Sequence, residues 1–223
     1  MMIIDFYKSL APSIKASIWI TLILIVLIVI LRIYMEKTKY GADKPAKGII
    51  LFVEDFIALM NNFSKEMVGK RWRTLSPYFI SLSVFLFTAN ISGLFGFTSP
   101  TVSLSVTLAL SLITFFMTHF WGIKSSGIKK YLKGLADPLP MAPLNIISEI
   151  AVPISLSFRL FGNILSGCIL MLLLYGFFGW LALLVTPALH AVFDIGFGVI
   201  QTLVFVMLTA VFIGNKLDES EFE

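Results

Sequence analysis

From Ser17 to Leu31 the chain reads SIWITLILIVLIVIL, without one charge. Such a run has no comfortable place in water. In lipid nothing outside the segment can satisfy its backbone N–H and C=O groups, so it must close its own hydrogen bonds as a helix. Comparable runs recur along the chain, and about 20 apolar residues cross a bilayer. Of 223 residues 58% are hydrophobic and only 13% charged, with mean hydropathy +0.94. Soluble domains carry about 25% charged residues. The pattern predicts an all-α polytopic membrane protein: about five transmembrane helices plus an interfacial amphipathic helix, with the last two spans a long tilted hairpin. No separate soluble domain is visible.

The runs set five spans, at about Ile14–Tyr34, Leu75–Phe97, Val102–Trp121, Leu144–Phe178 and Leu181–Asn215. The single membrane domain, 1–223, divides into a first span and linker (1–44), an amphipathic segment (45–70), two spans (71–135) and the hairpin (136–223). The start lacks a cationic region and a small-residue cleavage site, so the first run is expected to be a retained span. Basic residues cluster at Arg32–Lys47, at Lys65–Arg73 and at Lys124–Lys133. The positive-inside rule makes those loops cytoplasmic, which sets the N-terminus outside and the acidic end Asp218–Glu223 inside. Lys8 and Lys15, on the outer side, dissent mildly. The net charge of +4 is therefore topology chemistry and not a nucleic-acid signal. The lone Cys168 excludes an internal disulfide and a cysteine metal cluster. No cofactor or metal site is expected.

Within Pro45–Val68, Ile50, Val53, Ile57 and Met60 fall at helical spacing with acidic residues between them. The expectation is a helix lying at the cytoplasmic interface; a packed connector helix is the alternative. The last two spans each carry about 35 apolar residues, roughly 50 Å of helix against a hydrocarbon core of about 30 Å. Equal excess in both predicts two tilted helices side by side. Pro153 and Pro187 are candidate kinks or sites of freed carbonyls.

Polar residues inside these runs are expensive, and each needs a reason. Arg159 interrupts Pro143–Trp180, and its guanidinium cannot shed its proton in a protein. Arg159 lies about 20 residues before the turn near Gly179 and Gln201 about 22 after it, so an antiparallel hairpin brings them to similar depth. Asn163 stands one turn outward of Arg159, on the same face. His190, Asp194 and Gln201 share a face of the last span. From outside to inside the order is His190 and Asp194, then Arg159 beside Gln201, then Glu149. A carboxylate near each surface can feed or drain a proton, while a permanent cation between them repels a cationic carrier. Two such offset half-channels conduct only if a neighbour ferries a carboxylate between their mouths.

Each residue also has a plainer reading. Arg159 pairs with Asp194 or Glu149 to hold the bundle; Glu149 is interfacial; His190 snorkels near the outer surface. Gln201 and Asn163 are interhelical hydrogen-bond glue. His119 is read as an interfacial residue at the inner end of the third span, and Cys168 as inert.

Ser155–Gly167, SLSFRLFGNILSG, resembles the signature of subunit a of F-type ATP synthases, with Arg159 to Asn163 in the RLFGN order. Ile200–Ile213 is similar to the family's last-helix segment, Phe79–Phe97 to an earlier span, and Pro138–Ile150 to the start of the arginine helix. The resemblance covers most of the chain from about Arg71. It implies a non-catalytic, ion-translocating stator subunit beside a ring of c subunits, held by the peripheral-stalk b subunit in the lipid bilayer. The coupling ion is then H+, or Na+ in some members. Arg159 corresponds to the essential arginine, with Asn163, Gln201 and Glu149 as polar neighbours and Asp194 as the outer half-channel group, joined by His190. Where many members carry an acid or His, this chain has Cys168. The short polar ends and the lack of a transit peptide favour a bacterial plasma membrane, with an organelle-encoded copy as the alternative. No GxxxxGK[ST] pattern occurs, so ATP chemistry belongs to other chains. A stand-alone secondary transporter binding a small anion at Arg159, or a plain membrane scaffold, are the competing functions; no inverted repeat supports the first.

Overall fold

A computed structural model describes residues 7, 10–37, 48–95, 99–137, 139–179, 189 and 191–222. Among them all regular structure is helical. The helices are α1 (Pro12–Lys37), α2 (Ile49–Val68), α3 (Trp72–Ile91), α4 (Leu104–Ser126), α5 (Ile128–Ala136), α6 (Ala142–Phe178) and α7 (Gly198–Gly214). A π-helical segment, Ala191–Phe197, leads into α7. Five stretches among the described residues are long and apolar enough to span a bilayer. The expected spans map onto α1, α3, α4, α6 and α7. Of the last one, positions 180–188 and 190, with Pro187 and His190, lie outside the described residues.

Glycine marks two of the helix ends. Gly127 (φ 79) closes α4 and donates its N–H to the Ile123 carbonyl. Gly69 (φ 53) closes α2 the same way on Lys65. Positive φ is cheap only for glycine. The short α5 was not foreseen: its sequence, IKKYLKGLA, reads at first as a basic loop.

The core lies where α2, α3, α6 and α7 meet. Phe79, Leu86, Leu156, Leu160, Phe205 and Ile213 are fully buried or nearly so. Helix α6 runs chiefly along α4, where Thr107, Ser111, Thr114 and Thr118 form a buried stripe of small residues. Small side chains let two backbones approach closely. The hydroxyls of Thr107 and Ser157 hydrogen-bond across that seam at 3.1 Å. The hairpin expected of the last two spans is thus modified: α6 touches α7 only locally, and α7 packs mainly on α3. Hydropathy gives each span's length but not its neighbour.

Helix α6 has 37 residues, about 55 Å of helix, and runs through Pro153 unbroken. Proline has no N–H, so the carbonyl of Glu149 loses its helical partner there. Helix α2 is packed toward its C-terminal end and largely exposed at its start. Met60, Ser64 and Val68 pack into the bundle, while Ile49 and Phe52 stay about three-quarters exposed (77% and 74%). Of the expected apolar face, Ile50 and Met60 are buried and Ile57 is exposed.

Candidate functional site

The polar residues of α6 follow its helical repeat. Pro153, Leu156, Ser157 and Leu160 mark the buried face. Asn145, Ser148, Arg159, Asn163 and Ser166 fall on the arc beside it, at 100° per residue, and Glu149 on the adjoining edge of the buried face. Arg159 is exposed. Among the described residues it forms no ion pair or hydrogen bond, so neither pairing with Glu149 nor burial against the bundle accounts for it.

Glu149 has its own partners. One carboxylate oxygen pairs with Lys216 Nζ, just beyond the end of α7. The other lies 3.8 Å from His119 Nε2 of α4. His119 Nδ1 hydrogen-bonds with the Tyr131 hydroxyl of α5. Burial first, and then the Glu149 carboxylate, push the Tyr131 phenol up to about 12, so it stays protonated at neutral pH. A Cβ at Gly122 would come within 2.6 Å of the Tyr131 ring and 3.0 Å of Lys216 Cβ. A glycine there lets these side chains converge. They border a polar cavity of about 680 Å³, with Asn145, Ser148, Glu149, Lys130, Lys216 and Asp218 in its wall.

Asn163 donates from Nδ2 to Gln201 Oε1, joining α6 to α7. Gln201 is only 3% exposed, and its Nε2 has no partner among the described residues. The contact sets Gln201 level with Asn163, one turn along α6 toward its C-terminal end from the level expected beside Arg159. The pair lines a second cavity, about 530 Å³, whose wall includes Asn90, Ser99, Ser166 and Cys168. Asn90 of α3 is held by Thr101 Oγ1, which donates to its Oδ1 at 3.2 Å, and donates in turn to the Gly198 carbonyl at 3.4 Å. A Cβ at Gly198 would lie 3.2 Å from Asn90 Cβ, so α3 and α7 are at their closest there.

The two cavities share no lining residue and sit at opposite ends of α6 and α7, with Arg159 between them. The structure therefore brings Glu149 to one cavity and Asn163 and Gln201 to the other. Asp194 belongs to the π-helical segment; π-bulges are frequent at functional sites. Its side chain, like all of His190, lies outside the described residues.

Residues 16–214 match the family model described as ATP synthase A chain. The chain is 34% identical over 222 residues to the ATP synthase subunit a of Streptococcus equi subsp. zooepidemicus, covering 91% of this chain and 92% of that protein. It is 30% identical over 219 residues to the ATP synthase subunit a of Staphylococcus aureus, covering 91% and 90%. This chain belongs to the ATP synthase subunit a family. Subunit a fits a stator role in the membrane (Fo) sector of the F-type enzyme, and the bacterial relatives agree with a multi-pass membrane protein.

Three residues around the subunit a arginine helix escaped the sequence reading: Lys216, His119 as a Glu149 neighbour, and Tyr131. The missing signal was register. Glu149 lies about 14 residues before Asn163, and Lys216 about 15 after Gln201, so antiparallel helices pinned at Asn163–Gln201 bring Lys216 to Glu149.

Proposed function

We propose that the chain moves ions, with H+ as the coupling ion, as the non-catalytic stator subunit of an F-type ATP synthase, its α6 facing the rotating c-ring and the peripheral-stalk b subunit holding it still. One observation carries this: Arg159 stands exposed, without a counter-charge among the described residues, between two cavities with separate linings. An intramembrane arginine needs a partner or water. This one faces outward from its own bundle on a helix whose spanning stretch is only 11% buried, so its natural partner is a carboxylate on another chain. Each cavity then serves as a half-channel, the outer formed around Asn163 and Gln201, with Asp194 and His190 as the relay groups the sequence offers for it, the inner around Glu149. A carboxylate carried past Arg159 is ionised by the guanidinium and gives up its ion; it crosses lipid neutral.

Sidedness follows from the charges. Lys130 pairs with Asp218 and Arg71 with Glu221 at 2.6 Å, so the basic turns and the acidic end lie at one end of the molecule. The positive-inside rule makes that end cytoplasmic and the N-terminus external, in a bacterial plasma membrane.

The test is Arg159→Ala in the assembled enzyme in vesicles. Coupled ATP synthesis is expected to disappear. Full synthesis by that variant, or anion uptake by the purified chain alone in liposomes, would overturn the reading.

A further inference from the structure

The ion path as proposed explains Arg159 but leaves the lysine beside the inner carboxylate without a task. Lys216 and Glu149 are both mostly buried (side chains 25% and 20% exposed), yet both line the same polar cavity. A largely buried pair costs desolvation and is weak evidence of a stabilising role. Here the surroundings also hold the lysine in place from several directions. Gly122 clears space for Lys216 Cβ. The Lys216 ammonium sits 5.9 Å from the centre of the Tyr131 ring. Two residues on, Asp218 is tied to Lys130 and receives the hydroxyl of Ser125 as acceptor for its backbone N–H, at 3.0 Å. Beyond it Glu221 is clamped by Arg71 from Nε and Nη2 at 2.8 and 2.6 Å, and Lys70 donates to the Ser220 carbonyl at 3.1 Å. The C-terminal tail is thus fastened to the α2–α3 turn and to α4 and α5, and that fastening fixes where Lys216 can reach.

We propose that Lys216 is a positioning residue for ion release: an internal cation that occupies Glu149 so that an outgoing ion is not retained there. The inference rests on the half-channel reading above. A bare carboxylate in a cavity about 15 Å inward of Arg159 along α6 would attract the departing cation and hold it. With Lys216 engaged, the carboxylate keeps the cavity polar and hydrated without becoming a trap. His119, Tyr131, Lys130 and Asp218 are the other titratable groups facing this point, and none of them delivers a full positive charge to Glu149 at closer range than Lys216. The role is directional. It matters most when ions leave through the inner cavity, during ATP synthesis, and less when they enter there during ATP-driven pumping.

The experiment compares both directions in vesicles carrying the whole ATP synthase, each rate divided by the amount of assembled complex. For Lys216→Gln, synthesis is expected to fall about tenfold and ATP-driven acidification less than about threefold; Lys216→Arg, which keeps the charge, should leave the ratio within about twofold of the parent. Glu149→Gln with Lys216→Gln should synthesise no more slowly than Glu149→Gln alone, because without the carboxylate the lysine has no trap to guard. A purely structural lysine would lower assembly and leave the ratio of the two rates alone. Equal losses in both directions, no loss, or additive losses in the double variant overturn the inference. If Lys216→Gln does not assemble, the arginine and double variants are read by the same ratio. The control is Arg159→Ala: loss of coupling there with an unaltered ratio in Lys216→Gln rejects the lysine's role alone, whereas retained coupling in Arg159→Ala rejects the path itself.

Discussion

The two ends of α6 are built from different chemistry. Around Glu149 the contacts are polar and largely ionic: Lys216, the His119 ring, and beyond them Lys130 with Asp218 and Arg71 with Glu221. Around Asn163 they are neutral among the described residues: an amide pair with Gln201, then Asn90, Thr101 and Ser99 linked by hydroxyls. Charge is affordable where water reaches it, and amides and hydroxyls are the cheaper polar groups deeper in lipid. The contrast teaches that the Glu149 end is held by interactions that salt and charge reversal can disturb, and the Asn163 end by ones that they cannot.

The sharpest way to break the contrast is at the residue between the ends. Arg159→Gln keeps a polar side chain of similar reach but removes the charge, and is expected to lower coupled synthesis at least about 100-fold, read as ATP formed per assembled complex under an imposed proton gradient. Next comes Gly122→Val at the Glu149 end. Its side chain runs into the Tyr131 ring and Lys216, and overpacking costs about 1–3 kcal/mol; the midpoint of thermal inactivation of the detergent-solubilised complex should drop. At the Asn163 end, Gln201→Leu breaks the amide pair. Interhelical hydrogen bonds of this kind are worth about 0.6–1.7 kcal/mol, so a smaller thermal shift is expected, insensitive to salt. The smallest effect belongs to the tail. Glu221→Gln removes an ion pair worth up to about 1 kcal/mol; its thermal shift should vanish as salt rises from about 0.05 to 1 M, because screening shortens the Debye length to about 3 Å. A salt-independent Glu221 effect, or a salt-dependent Gln201 effect, would erase the distinction between the ends.

Much of the fold could be read before any coordinates. Uninterrupted apolar runs leave the backbone one solution in lipid, so α1, α3, α4 and α6 fall close to their expected bounds. Arg159, Asn163, Gln201 and Glu149 stood out because polar atoms in such runs need a cause. What could not be read was contact between spans. Lipid is as apolar as the side chains, so hydropathy does not say that α6 leans on the threonine stripe of α4. Counting residues from Gly179 assumed equal arms, and it missed the register by one turn. Lys216 escaped for a related reason: at the end of a span a lysine looks like an ordinary membrane-flanking charge, and only the fastened tail reveals that it folds back to a carboxylate.

Helix α6 has one dressed side and one bare one. A chain made without its neighbours would leave a bare cation facing acyl tails along that side, at a cost of a few kcal/mol or more. Such an orphan is poorly suited to persist in the bilayer, so the arginine makes the unassembled piece conspicuous.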